Sequence, residues 1–180
     1  MRLSVRSAAV SCIVSLLASA PLQAQGAEFS LGGGLAVPLG TYDDIAKVGW
    51  QGTAALSFLS RSAFGARIDG MYARFSTETA DDIQSQLIHG TANVVYRFQG
   101  SRTTRLRPYL IGGGGIYNLK AVGDDAPEGS STDLGINLGA GFDIGAGGAR
   151  LFMEARWHNV FLEGGNIKFL PITLGIRFGG

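Results

Sequence analysis

Cysteine is nearly absent. The one such residue among 180 is Cys12, and it stands inside the apolar run AAVSCIVSLLA, residues 8–18. A lipidated cysteine follows such a run instead of interrupting it, so Cys12 is not read as a lipoprotein signal, and the mature chain is expected to lack disulfides and thiol chemistry. Net charge is also scarce, at +1, which leaves no strong pull toward nucleic acid. Beyond the leader no apolar run is long enough for a transmembrane helix. Phosphate loops are missing as well. The four glycines of RPYLIGGGGIYNL, residues 107–119, are followed by Ile116, Tyr117 and Asn118. A P-loop needs Lys and then Ser or Thr after its last glycine, and the dinucleotide fingerprint GxGxxG fails because Tyr117 holds the third glycine position.

What is abundant is glycine, 28 of 180 residues, about twice its usual share of roughly 7%. The N-terminus carries Arg2 and Arg6, then the apolar run, then SAPLQAQGA with small residues suited to cleavage. That order is a secretory signal peptide. Residues 1–24 are expected to be removed after Ala24, with Gly26 as the second choice, leaving 25–180 as one barrel domain. A retained anchor helix is disfavoured because the run is too short to cross a bilayer.

The mature chain alternates with period two. In DLGINLGAGFDIG, residues 133–145, Leu134, Ile136, Leu138, Ala140, Phe142 and Ile144 occupy every second position. Such a pattern specifies a strand with one oily face and would scatter around a helix. Similar rows occur in 28–37, 50–58, 64–72, 88–98, 151–157 and 172–178. An eighth falls in 107–119. There the glycines blur the phase, and the row Tyr109, Ile111, Gly113, Gly115, Tyr117, Leu119 is taken as oily because of its tyrosines. The connections 60–62 and 146–148 are tight, and 39–48, 76–86, 120–132 and 159–169 read as long polar loops. The segment 99–106, GSRTTRLR, breaks the rule and is expected to form a longer or frayed turn. Short turns alternating with long loops along eight strands are the pattern of an outer-membrane barrel.

A soluble, lipocalin-like barrel would turn these oily rows inward, whereas a membrane barrel turns them outward. Trp50, Tyr72, Tyr117 and Trp157 fall near the long-loop ends of the rows. Phe29, Phe58, Phe64, Tyr96, Phe98, Tyr109, Phe142 and Phe178 fall near the other ends. Two aromatic belts around an aliphatic band favour the lipid-facing choice. The polar rows then face a narrow interior and hold Glu28, Asp69, Asp143 and Glu154 against Arg67, Arg97, Arg156 and Arg177. Buried charges have to be paired, so these eight are read as an interior ionic network, with Glu28 and Arg177 meeting where the first and last strands close. Inward Arg and aromatic groups need small partners, which accounts for the glycines, Gly112–Gly115 included.

At this point the chain resembles the bacterial outer-membrane β-barrel family, whose eight-stranded members include the OmpA and OmpX types. The resemblance rests on the signal peptide, RPYLIGGGGIYNL, the hairpin LGINLGAGFDIG–LFMEARWHNVF and the terminal PITLGIRF, and covers nearly the whole mature chain. It implies an all-β, eight-stranded antiparallel up-and-down transmembrane barrel in the outer membrane. It also implies contact with outer-membrane lipid and lipopolysaccharide, insertion by the barrel assembly machinery with Phe178 as the terminal aromatic signal, and a monomeric state. Gly179 and Gly180 beyond Phe178 depart from the usual ending. No peptidoglycan-binding domain is expected after the barrel. The expected role is structural or interactive, with no cofactor, no metal and no catalysis. The rival is a lipid A deacylase of the PagL type, which would need a His and a Ser together on the outer wall. His158 is followed by Asn159 and Val160, and both it and His89 fall on inward rows. The pairs Asp43-Asp44, Asp81-Asp82 and Asp124-Asp125, with Glu78, Glu128 and Glu163, read as solvated acidic loops, and their spacing fits no Ca²⁺ loop. Arg61, Arg102, Arg105, Arg107 and Arg150 read as a basic rim at the opposite end.

Overall fold

In the computed structural model, the described residues are 26–43, 46–60, 62–76, 84–98, 106–123, 129–146 and 149–179. Eight strands run β1 Gly26–Leu39, β2 Gly49–Leu59, β3 Phe64–Ser76, β4 Gln84–Arg97, β5 Leu106–Val122, β6 Ser130–Ala146, β7 Ala149–Leu162 and β8 Gly165–Gly179. Each pairs antiparallel with the next, and β1 pairs with β8 to close the barrel. Closure leaves no sheet edge, so every strand has a neighbour on both sides within the wall.

The period-two pattern sets the faces. Leu31, Ile68, Val94, Leu138 and Leu174 stand outward, 49–65% exposed, while Glu28, Arg67, Asp69, Glu154 and Arg177 are at most 3% exposed inside. An apolar wall of that extent around a polar interior is stable against lipid and not against water. The soluble, inside-out alternative is therefore excluded. The aromatic belts are present outside, with Trp50 beside Tyr72 at 5.4 Å, and Phe64, Tyr96 and Phe98 in contact at 5.0 and 5.1 Å at the other end.

The strands are longer than their oily rows, because pairing continues into polar residues beyond the apolar band. Two sequence expectations are corrected. The first concerns β5: Tyr109, Ile111 and Tyr117 face the interior and are fully buried, while Leu106, Leu110 and Ile116 form the outward row. The tyrosine hydroxyls explain the choice, since each finds a polar partner inside that lipid could not supply. Tyr109 and Tyr117 therefore leave the belts. The second concerns 159–169, which is no loop. β7 and β8 pair through Leu162 and Gly165, so only Glu163 and Gly164 form the turn. Val160 and Phe169 are wholly buried, and their burial extends the hairpin. Of the expected frayed turn, residues 99–105 lie outside the described residues, as do residues 1–24, where a signal peptide is expected.

After β1 the chain turns at Gly40, whose φ of +63° suits glycine. The short 3-10 helix Gly40–Tyr42 then carries Tyr42 into the barrel mouth, where its ring meets Phe75 edge-on at 5.4 Å.

Glycine sits where a large inward side chain lies on the neighbouring strand. A Cβ at Gly141 would come within 2.6 Å of the Tyr109 ring and hydroxyl, and one at Gly135 would meet the Tyr117 ring at the same distance. Gly175 faces Phe152 and Gly139 faces Arg156 in the same way. Within the four-glycine stretch, Gly113 and Gly115 press against β4 at Asn93 and Thr91. Overpacking of this kind costs about 1–3 kcal/mol. Gly141→Ala is expected to destabilise the barrel by that amount in denaturant unfolding from lipid vesicles. Gly52→Ala, whose Cβ would meet only a carbonyl oxygen at 4.0 Å, is expected to change stability by less than about 0.5 kcal/mol. Equal effects of the two would contradict the packing account.

Candidate functional site

The barrel interior is layered, and the inward residues of β7 mark the layers in order: Arg150, Phe152, Glu154, Arg156, His158, Val160. In the lowest layer Glu28 accepts from Arg97 at 2.6 Å and also pairs with Arg150. Arg177 donates from Nη1 to both oxygens of Asp143 at 2.8 Å. Its guanidinium also lies 5.3 Å from the Tyr109 ring centroid and 5.1 Å from that of Phe152. The expected meeting of Glu28 with Arg177 does not occur. The β1–β8 register sets Ser30 opposite Arg177 and Gly179 opposite Glu28. Arg177 is thus set deeper along the interior, against Asp143. Arg150 and Arg177 are directly opposed on β7 and β8, and two like charges there are tolerable because each has its own carboxylate. Arg150 thus belongs to the interior, not to the basic rim, where Arg107 remains.

The middle layer is one connected cluster. Arg67 holds Glu154 with two parallel bonds, 2.7 and 2.8 Å, and donates from Nε to Asp69 at 2.8 Å. Arg156 reaches Asp69 at 3.1 Å and Glu154 at 2.9 Å. Asn93 donates to Asp69 at 2.6 Å and the Tyr109 hydroxyl donates to Glu154 at 2.8 Å. The fork geometry of Arg67 matches a carboxylate and gives directionality as well as charge.

Above it lies a histidine layer. The His89 and His158 rings are 5.0 Å apart, and His158 stacks on Phe169 at 4.7 Å. Tyr117 Oη and His158 Nδ1 are 2.8 Å apart, in hydrogen-bond contact. The mouth is closed by an apolar plug of Ala36, Tyr42, Ala46, Ala73, Phe75, Leu87, Val160 and Phe169, all buried. A recess of about 450 Å³ lies on the outer rim, lined by Ser131, Thr132, Asp133, Leu162 and Glu163. Among the described residues no group of three His, Cys, Asp or Glu is placed to hold a metal ion.

All eight charged residues singled out in the sequence face this interior, and Phe178 stands on the outer wall, 45% exposed. Sequence reasoning missed Tyr109, Tyr117, Asn93 and Arg150 as partners. The only signal for the tyrosines was that the even row also holds apolar residues, Leu106, Leu110 and Ile116. Of the acidic residues in the long loops, Asp44, Asp81, Asp82, Asp124, Asp125, Glu78 and Glu128 lie outside the described residues, as do Arg61, Arg102 and Arg105.

With closure, a lipid-facing wall and a filled polar interior established, solved structures of the same architecture can be set beside the chain. Neisserial surface protein A is 14% identical, with 84% of this chain covering 96% of that one at a TM-score of 0.64. Ail, the attachment invasion locus protein of Yersinia pestis, is 14% identical over 86% of this chain and 98% of its own, with a TM-score of 0.53. The outer membrane enzyme PagL is 19% identical over 84% and 98%, also at 0.53. No protein-family profile matches the chain, and no curated protein matches it in sequence. The fold is therefore that of the small eight-stranded outer-membrane β-barrels.

Removing one member of a buried ion pair strands the other and costs about 3–5 kcal/mol, whereas replacing both with apolar groups is often neutral. Arg177→Met is expected to lose stability on that scale in vesicle unfolding, and adding Asp143→Leu is expected to restore most of it. Losses that simply add would contradict the pairing.

Proposed function

We propose that the chain is a non-catalytic outer-membrane protein with a structural or surface-interaction role, serving membrane integrity, adhesion or recognition through its extracellular loops. The observation that carries this is the filled interior. Ionic, histidine and apolar layers succeed one another from end to end, so neither a solute path nor a ligand chamber is the natural use of the barrel. What remains for a partner is the lipid face and the loop end. Ail, of the same architecture, is named for attachment and invasion and has been crystallised with the heparin analogue sucrose octasulfate. Its likeness supports an adhesive reading here.

PagL shows that this architecture also hosts an enzyme. A group acting on membrane lipid has to stand on the lipid face. His158 is fully buried and His89 is 3% exposed, both inside, which supports the non-catalytic reading. We further assign Phe178, outward on the last strand, as the aromatic read by the barrel assembly machinery. Lipopolysaccharide is the expected lipid neighbour, and a monomer the expected state.

In planar bilayers the folded protein is expected to give no steady open channels. Lipid A mass spectra from cells with and without the gene are expected to match, while attachment to host-cell or matrix surfaces falls when the gene is removed. Steady conductance would overturn the closed-interior role. An acyl chain lost from lipid A only when His158 is intact would establish the enzyme instead.

A further inference from the structure

The outer wall is not uniform. On β6–β8 it is bulky, with Leu134, Ile136, Leu138, Leu151, Met153, Leu174 and Ile176 all exposed. On β3–β5 it carries a polar ledge above a flat stretch. The ledge is a ladder across three strands: Arg74 pairs with Gln86, and Gln86 with Lys120. Alternation sets all three outward, at the loop ends of their strands. Arg74 also stands opposite Trp50, whose ring meets Tyr72 at 5.4 Å, so the ledge lies at the level of the aromatic belt, where headgroups are. Among the described residues Arg74 and Lys120 meet no carboxylate, and Arg74 Nε, itself shielded from solvent at the wall, has no hydrogen-bond partner, so it is the Nη groups that face outward contacts.

Beyond the outward rung of Tyr72, Ile88 and Asn118 that lies directly below the ledge, the same strands become smooth. Gly70 pairs with Gly90, and Ala92 with Gly114. A Cβ at Gly70 would meet nothing within 4 Å, and one at Gly90 only a carbonyl oxygen at 4.0 Å, so this face of the wall is open. Ile68, Ile88, Val94 and Ile116 flank it, 45–56% exposed. From Arg74 to Gly70 is about 13 Å along the strand at ~3.3 Å per residue.

We propose that β3–β5 bind a phosphate-bearing lipid of the outer leaflet, its phosphate on Arg74, Gln86 and Lys120 and an acyl chain along the flat wall beneath. A guanidinium fork and an ammonium at one level complement phosphate oxygens. Small residues let a methylene chain approach the backbone closely, as they do for packed helices in membranes. A second copy seated two-fold on this face would oppose Arg74 and Lys120 to their own images, which disfavours a dimer there. The inference rests on the lipid-facing wall and not on the adhesive role.

The test is native mass spectrometry of the folded mature chain in detergent. The probes are diphosphoryl lipid A, its dephosphorylated form and inorganic phosphate, with heat-modifiability as the control for folding. Retention of diphosphoryl lipid A about tenfold tighter than of the dephosphorylated form is expected. Arg74→Gln with Lys120→Gln should remove that preference. Gly70→Leu with Gly90→Leu, which fills the groove and leaves the charges, should weaken lipid A about tenfold. Both glycines face open space, and Gly90→Leu alone serves if the pair does not fold. Equal retention of the two lipids, or no response to either set of variants, would leave only annular lipid and overturn the proposal. Inorganic phosphate competing fully, with the groove variants indifferent, would make this a free-phosphate site. A dimer mass lost in the groove variants would give the face to a second copy. A wild-type chain that shows no heat shift would instead refute the membrane-barrel reading on which the proposal stands.

Discussion

A chain that crosses lipid as strands has to satisfy every polar group within itself, and the rest of this barrel follows from that constraint. Closure of β1 on β8 satisfies the backbone. The side chains then divide by parity, and the charged half has only the lumen to occupy. Four carboxylates and five guanidiniums face one another there: Glu28, Asp69, Asp143 and Glu154 against Arg67, Arg97, Arg150, Arg156 and Arg177. Such pairs are a weak source of net stability, since desolvation offsets much of their attraction. Their firmer contribution is to register. A shift of one residue would turn each carboxylate into the bilayer and each leucine into the lumen.

A narrow lumen filled by arginines and aromatics imposes a second constraint, on volume. Tyr109, Tyr117, Phe152 and Arg156 each lean over a glycine of an adjacent strand. Glycine costs backbone entropy in a strand, and here that cost is offset by packing that alanine would break. The outward glycines at 70 and 90 have no such neighbour, so their smallness shows on the lipid face instead. One residue type thus serves two ends, set by the side of the wall on which it falls.

Fold and polarity were legible in the sequence because alternation is a strong signal over a dozen residues, as in 133–145. Seven of the eight rows were assigned to the correct face. β5 was not, because Gly112–Gly115 carry no contrast, and the tyrosines that decided the phase are amphipathic and suit belt or lumen equally. The turn at Glu163-Gly164 was hidden because Asn159, Asn166 and Lys168 look polar in sequence, although Val160 and Phe169 beside them belong to the plug. Membership of the ionic set was legible from parity, but partners were not. Which carboxylate meets Arg177 depends on how far the strands are offset around the closed barrel, and no single strand contains that information.

The most direct test of the account is a cysteine scan of residues 106–122, with nitroxide labels in lipid vesicles. If cleavage after Ala24 removes Cys12, each label is unique. Oxygen, which concentrates in lipid, should reach labels at Leu106, Leu110, Gly112, Gly114 and Ile116, and not those at Tyr109, Ile111 or Tyr117. A period-two profile with that phase would support an ionic interior inside a lipid-facing wall. The opposite phase, or a profile without alternation, would contradict it.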